Sequence, residues 1–129
     1  MNLELRRLGN LVQQNTLWPC ELALLENKVL TGLPVIDGVQ VVEGARVLVA
    51  GQTNPAENGI YIARLGQWDR SNDWNEATDV TSGSLVAVIS GDADGGLYQG
   101  FFPCPLSVGS TPVSFIQQGQ QTALIHGSP

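Results

Sequence analysis

Residues 34–73 read PVIDGVQVVEGARVLVAGQTNPAENGIYIARLGQWDRSND, and this stretch decides the fold class. Asp37-Gly38 is a strong turn dipeptide set between two short apolar runs, Val35-Ile36 and 39–42. Glu43-Gly44 marks a second turn. Residues 46–50 (RVLVA) form a continuous apolar, β-branched run, the pattern of a strand buried on both faces. Residues 51–58 (GQTNPAEN) then read as a loop centred on Asn54-Pro55, and Asn58-Gly59 allows a left-handed backbone where the next strand begins. In GIYIAR (59–64) the side chains alternate, Ile60 and Ile62 on one face and Tyr61 and Ala63 on the other. Leu65-Gly66 turns the chain into a strand carrying Trp68 and Arg70. Trp68 is expected in the core with its indole N–H donating to a carbonyl, and Arg46 or Arg70 is expected to pair with Asp69 or Asp73.

Downstream the same signals recur. A polar, acidic loop at 72–83 contains Trp74 and Val80 as its apolar residues, and 84–90 (SLVAVIS) reads as another buried strand. Residues 91–96 (GDADGG) form a hairpin connection to a returning strand at 97–102. Residues 111–117 (TPVSFIQ) supply a closing strand with Val113 and Phe115 on one face. Upstream, 21–28 (ELALLENK) fits either one or two helical turns or a strand leading into the β-rich stretch. Leu5, Leu8, Leu11 and Val12 recur at helical spacing but Gly9 and Asn10 interrupt them, so the first residues read as a short helix or an extended arm.

The resulting expectation is a mainly β protein: a small antiparallel β barrel or sandwich at 23–117, an N-terminal arm or short helix at 1–22, and an extended polar C-terminal tail at 118–129. Its core is predicted to contain Val47, Val49, Ile60, Ile62, Leu85, Val86, Val88 and Phe115. The 129 residues suffice for one domain without stapling by metals or disulfides. Fifteen glycines and seven prolines agree with many turns and little helix.

Charge narrows the function. Six cations against twelve acids give a net charge of −6, and the cations are scattered apart from Arg6-Arg7, so there is no basic footprint for nucleic acid or for anionic lipid. No apolar run is long enough to insert in a membrane and the first residues lack the pattern of a secretory signal, which places synthesis in the cytoplasm. Charged residues are only 14% of the chain, which suits a surface largely covered by neighbours. Cys20 and Cys104 both flank proline and read as two buried thiols, a disulfide being the alternative.

Chemistry-bearing motifs fail to complete. The carboxylates Asp69, Asp73, Glu76 and Asp79 cluster in one polar loop, where solvent keeps them ionised, and glycoside hydrolysis needs two carboxylates in contrasting environments. Asp92-Ala93-Asp94-Gly95 starts like a calcium loop, but Gly96 and Pro103 stand where further oxygen ligands belong. One histidine and two proline-flanked cysteines offer little for a zinc or nucleophilic site. The expectation is a non-enzyme with no cofactor and no metal. Trp74, between Asp73 and Asn75, has two readings: a flat surface for a sugar ring, with Asp73 and Glu76 beside it, or a side chain packed under its loop or at a subunit interface.

The order of motifs IDGV, GARVLV, GQTNPAENGIY and WDRSND, with the strand at 83–91 and VGSTPVSFIQ at 108–117, resembles a β-rich module of tail fibre and related virion proteins of tailed bacteriophages. The resemblance covers about residues 23–117 and implies a structural component of a virion, assembled in the host cytoplasm: a fibre, spike or baseplate-type domain. It implies other virion proteins and copies of the chain itself, as a homotrimer, as partners, with a host-surface glycan as a further contact through Trp74, Asp73 and Glu76. The module is usually part of a longer fibre, whereas here it stands nearly alone. A short chain with an arm also fits a capsid decoration (cement) protein of the phage head, and a free carbohydrate-binding module is the reading from another class.

Overall fold

The structure, a computed structural model, describes residues 17–75 and 80–118. Among them are nine short strands and no α-helix: β1 (Leu22–Leu24), β2 (Val35–Ile36), β3 (Val39–Gln40), β4 (Arg46–Val49), β5 (Gly59–Ile62), β6 (Asp69–Arg70), β7 (Leu85–Val88), β8 (Gly96–Phe101) and β9 (Ser114–Gln117). They form a four-stranded sheet in the order β1-β4-β5-β6, a hairpin β2-β3, and a three-stranded sheet β7-β8-β9. The mainly β class is therefore correct, as separate packed sheets with no barrel closed by a continuous ladder among the described residues.

The turn chemistry acts where the sequence places it. Asp37 and Gly38 both have positive φ, 48° and 79°, which makes the two-residue connection of β2 to β3 a turn whose twist matches its strands. Pro55–Glu57 form a 3-10 turn, capped by the Asn54 side chain accepting from the Ala56 N–H at 3.2 Å. It leads into β5, which pairs antiparallel with β4 from Arg46↔Ile62 to Val49↔Gly59.

The segment that fits helix or strand by sequence is a strand, and its partner is not a sequence neighbour. β1 runs parallel to β4, with Leu22 opposite Val47 and Leu24 opposite Val49. Just upstream the same segment pairs with β7: the Leu17 N–H donates to Leu85 O at 2.8 Å and the Cys20 N–H to Ala87 O at 2.7 Å. Ile89 and Ser90 N–H groups return bonds to Cys20 O and Glu21 O. Residues 17–24 therefore cross from one sheet to the other, in the manner of strands that switch sheets at a corner. Part of the stretch assigned from sequence to the arm is thus built into the fold, while residues 1–16 of the arm and 119–129 of the tail lie outside the described residues.

Two apolar clusters lie on opposite faces of the four-stranded sheet. Ala23, Leu48 and Ile60 pack with Val86, Val88 and Tyr98 of the three-stranded sheet and with Trp74, Phe102, Leu106 and Val113. Leu22, Leu24, Val47, Val49 and Tyr61 pack instead with Ile36, Val41 and Trp68, under the β2-β3 hairpin. β4 is covered on both faces, as its unbroken apolar run demands. Of the predicted core, Val47, Val49, Ile60, Val86 and Val88 are buried, whereas Ile62, Leu85 and Phe115 are only half-buried. Leu85 shares an outward row with Gln99, Ile62 lies opposite the polar edge residue Asp69, and Phe115 is on the edge strand.

Candidate functional site

The acidic loop begins with the residues that the sequence marks out. Asn72–Trp74 form a single 3-10 turn after β6. That turn rotates Trp74 inward, leaving it 1% exposed in the cluster between the sheets. Its ring meets Phe102 edge-on at a centroid distance of 6.2 Å and lies 5.5 Å from Phe115. A stacking platform for a sugar ring is therefore not what Trp74 offers; the packed reading is correct, and the indole is core. Its Nε1 is buried without a hydrogen-bond partner, close to the position a Cβ on Gly59 would take.

Asp73 is equally committed to the fold. Arg46 holds it in a two-pronged ion pair, Nη1 to Oδ1 at 2.8 Å and Nη2 to Oδ2 at 2.6 Å. Ser71 Oγ donates to the same Oδ1 at 2.6 Å and accepts from Arg46 Nη1 at 2.6 Å. Arg46 also donates through Nε and Nη2 to Trp18 O, which anchors the start of the sheet-crossing segment. Burial pushes the Asp73 carboxyl up, but the hydrogen bonds from Arg46 and Ser71 and the guanidinium charge outweigh it, so Asp73 lies below the ordinary carboxylate range. Such a group holds its charge and is a poor proton donor. Glu76 and Asp79 lie outside the described residues. Asp69 pairs with Arg64 at 3.1 Å on the surface, so the described carboxylates of this loop form no facing pair.

The two cysteines differ in exposure. Both cysteines are free; Cys20 is buried, as expected, and burial pushes its thiol up to about 12. Cys104, expected to be buried, is exposed in the proline-flanked turn after β8. Among the described residues no group of three or more His, Cys, Asp or Glu side chains could hold a metal ion, and no helix is long and apolar enough to cross a membrane.

Three polar residues with no site signal in the sequence organise the loops. Buried Asn58 accepts from the Gln52 N–H at 3.0 Å and donates to Val113 O at 2.8 Å, joining the loop before β5 to the strand that closes the domain. The Gln52 amide accepts from the Lys28 N–H and donates to Lys28 O. The Asp37 carboxylate accepts from the Ala93 and Asp94 N–H groups at 3.0 and 2.7 Å, stitching the β2-β3 turn to the β7-β8 hairpin. Asp37 is recognisable as a turn residue, but nothing local to it announces a partner so distant in sequence.

A concavity of about 820 Å³ lies between Asn27–Thr31 and the Gln52–Asn54 loop, with Trp68 and Tyr61 in its wall. Its aromatic groups are already engaged: Trp68 Nε1 donates to Gly32 O at 2.7 Å and the Tyr61 hydroxyl to Glu57 O at 2.6 Å. Arg70 lies 4.8 Å above the Tyr61 ring and donates to Asn58 O and Ala56 O. No protein-family model matches the chain, and no curated protein or solved structure matches it.

Proposed function

We propose that this chain is a structural component of a tailed-bacteriophage virion, a β domain of the tail that acts by assembly and not by catalysis. The observation that carries the reading is the fate of the motif residues that resemble the fibre module. Asp37, Arg46, Asn58, Trp68, Arg70 and Asp73 are each spent on internal contacts that hold turns and strands in place. Motif residues whose polar groups are spent this way support a scaffold role, since a reactive site keeps polar groups free to meet a substrate. The burial of Trp74 removes the proposed glycan contact through that residue. The role that remains is attachment to other virion proteins and to copies of the chain.

Localisation tests it. Gold labelling of a tagged chain on intact particles is expected to decorate the tail. Label over the head would replace the tail by a decoration role, and unlabelled particles would reject the virion reading altogether.

A further inference from the structure

Every polar group of Asn58 is engaged inside the fold. Its backbone N–H donates to Pro55 O at 3.1 Å, and its carbonyl accepts from Arg70 Nη1 at 3.1 Å. Its side-chain oxygen accepts from the Gln52 N–H, and its side-chain nitrogen donates to Val113 O, at 3.0 and 2.8 Å. The residue is 4% exposed, so water replaces neither partner. A carboxylate of the same length could accept the first side-chain bond but has no proton for the second. The position therefore calls for an amide.

The next position calls for glycine as strictly. Gly59 has a φ of 151°, which L side chains rarely adopt. A Cβ there would lie 2.6 Å from Arg70 Nη1 and 2.9 Å from Trp74 Nε1. Arg70 is pinned by its bonds to Asn58 O and Ala56 O, and Trp74 is core, so neither neighbour yields easily. The fold thus requires Asn-Gly here, at the one place in the sequence where asparagine precedes glycine. The pairing is chemically fragile. Asparagine is a thermolabile residue, and a following residue without a Cβ lets its backbone nitrogen swing unhindered onto the side-chain amide carbon.

We infer that Asn58-Gly59 is a self-modification site of the unfolded chain, and that its modification bars the chain from refolding. The Gly59 backbone nitrogen bonds to the Asn58 side-chain carbon and gives up its proton. The bond from that carbon to Nδ2 breaks, and the nitrogen takes up a proton and leaves as ammonia. Water then opens the five-membered imide at either carbonyl, with no change of oxidation state. Opening at the side-chain carbon leaves aspartate. Opening at the main-chain carbon leaves isoaspartate, with one more carbon in the backbone just ahead of β5. Both products carry a negative charge in place of the amide, and neither has the N–H that Val113 O requires. Isoaspartate also lengthens the chain where Gly59 must pair with Val49. In the folded chain the attack is blocked, because turning the side chain toward the Gly59 nitrogen breaks both of its hydrogen bonds at once. The pair is protected by the structure it supports. This inference concerns the durability of the chain and stands apart from the virion reading.

The test incubates the purified full chain in mildly alkaline, reducing buffer, folded and in guanidinium chloride, and follows the tryptic peptide 47–64 by mass spectrometry. Asn54 shares that peptide but precedes proline, whose nitrogen carries no proton to lose, so it is an internal control. The amide-to-acid mass gain is expected at Asn58, and at least roughly tenfold faster in denaturant than in the folded chain. Once denaturant is removed, the fraction of chains that fails to regain native circular dichroism should match the modified fraction. Asn58→Asp, which makes one product directly, should be less stable than the wild type or unfolded at neutral pH. Its deficit should shrink in acid, where the buried carboxyl regains a proton to donate to Val113 O. Equal rates in the folded and unfolded chain, a mass gain located at Asn54, or full refolding of modified chains would overturn the inference. So would an Asn58→Asp chain as stable as the wild type.

Discussion

Arg46 ties three stretches of chain together, the segment at Trp18, its own strand β4, and the turn at Ser71 and Asp73, through one guanidinium. Replacing Asp73 by Asn removes the charge while keeping the shape, and should cost about 1.5–3 kcal/mol, the range for hydrogen bonds to charged groups. Urea unfolding at neutral pH measures it. The pH dependence has a definite sign. Asp73 titrates lower in the fold than in the unfolded chain, so its contribution is complete above the ordinary carboxylate pKa and is lost as pH falls through the lower folded value. Asp94 opposes this weakly: burial, then the charge of Asp37, raise its pKa, so its contribution is present in acid and fades as pH rises through the folded value. The stability gap between wild type and Asp73→Asn should therefore close as pH drops below roughly 4, and a gap that widens in acid would contradict the assignment. The thiols give a second outcome. Cys20 is buried and its pKa raised, Cys104 exposed, so a thiol reagent should label one cysteine in the native protein and both in denaturant. Trp74→Ala should destabilise by about 3–5 kcal/mol, the cost of emptying a core aromatic site, and thermal unfolding reads it.

Element by element, strands with a strong local pattern were legible in the sequence. RVLVA, GIYIA and SLVAV became β4, β5 and β7 because β-branched runs bounded by Gly, Pro and Asn leave few other options. The Asp37-Gly38 hairpin was legible for the same reason, since its backbone angles favour those two residues. What stayed hidden were relations between distant segments. Nothing in ELALL announces that it pairs in parallel with β4, because such pairing leaves no periodic trace within the strand itself. The burial of Trp74 was open for a related reason: a single aromatic in a polar loop reads alike whether a 3-10 turn aims it inward or outward. Asp37 offers a test at this scale. Asp37→Ala should leave the β2-β3 hairpin in place but release the Ala93 and Asp94 amides, and hydrogen exchange at those two N–H groups should accelerate well before global unfolding.

At the scale of the whole molecule, residues 17–24 bond to both sheets and so link the two apolar clusters, which are expected to unfold together. Trp68 belongs to one cluster and Trp74 to the other, so each can report on its own half. With Trp18 replaced by Phe and one of the other two tryptophans retained in turn, the fluorescence midpoint of each variant should coincide with that same variant's circular-dichroism midpoint. Two separated midpoints would show that the crossing segment does not couple the sheets. The same segment also imposes an order in time. It leaves the ribosome before either of its partners, and its parallel bridge to Val88 waits until β7 has been translated. At about 5–20 residues per second that wait lasts several seconds, during which the apolar side chains Cys20 and Ala23, which pack in the cluster with Val86 and Val88, have no finished sheet to meet. A nascent chain arrested before β7 should therefore be protease-sensitive at residues 17–21, and one released past β9 should be resistant there.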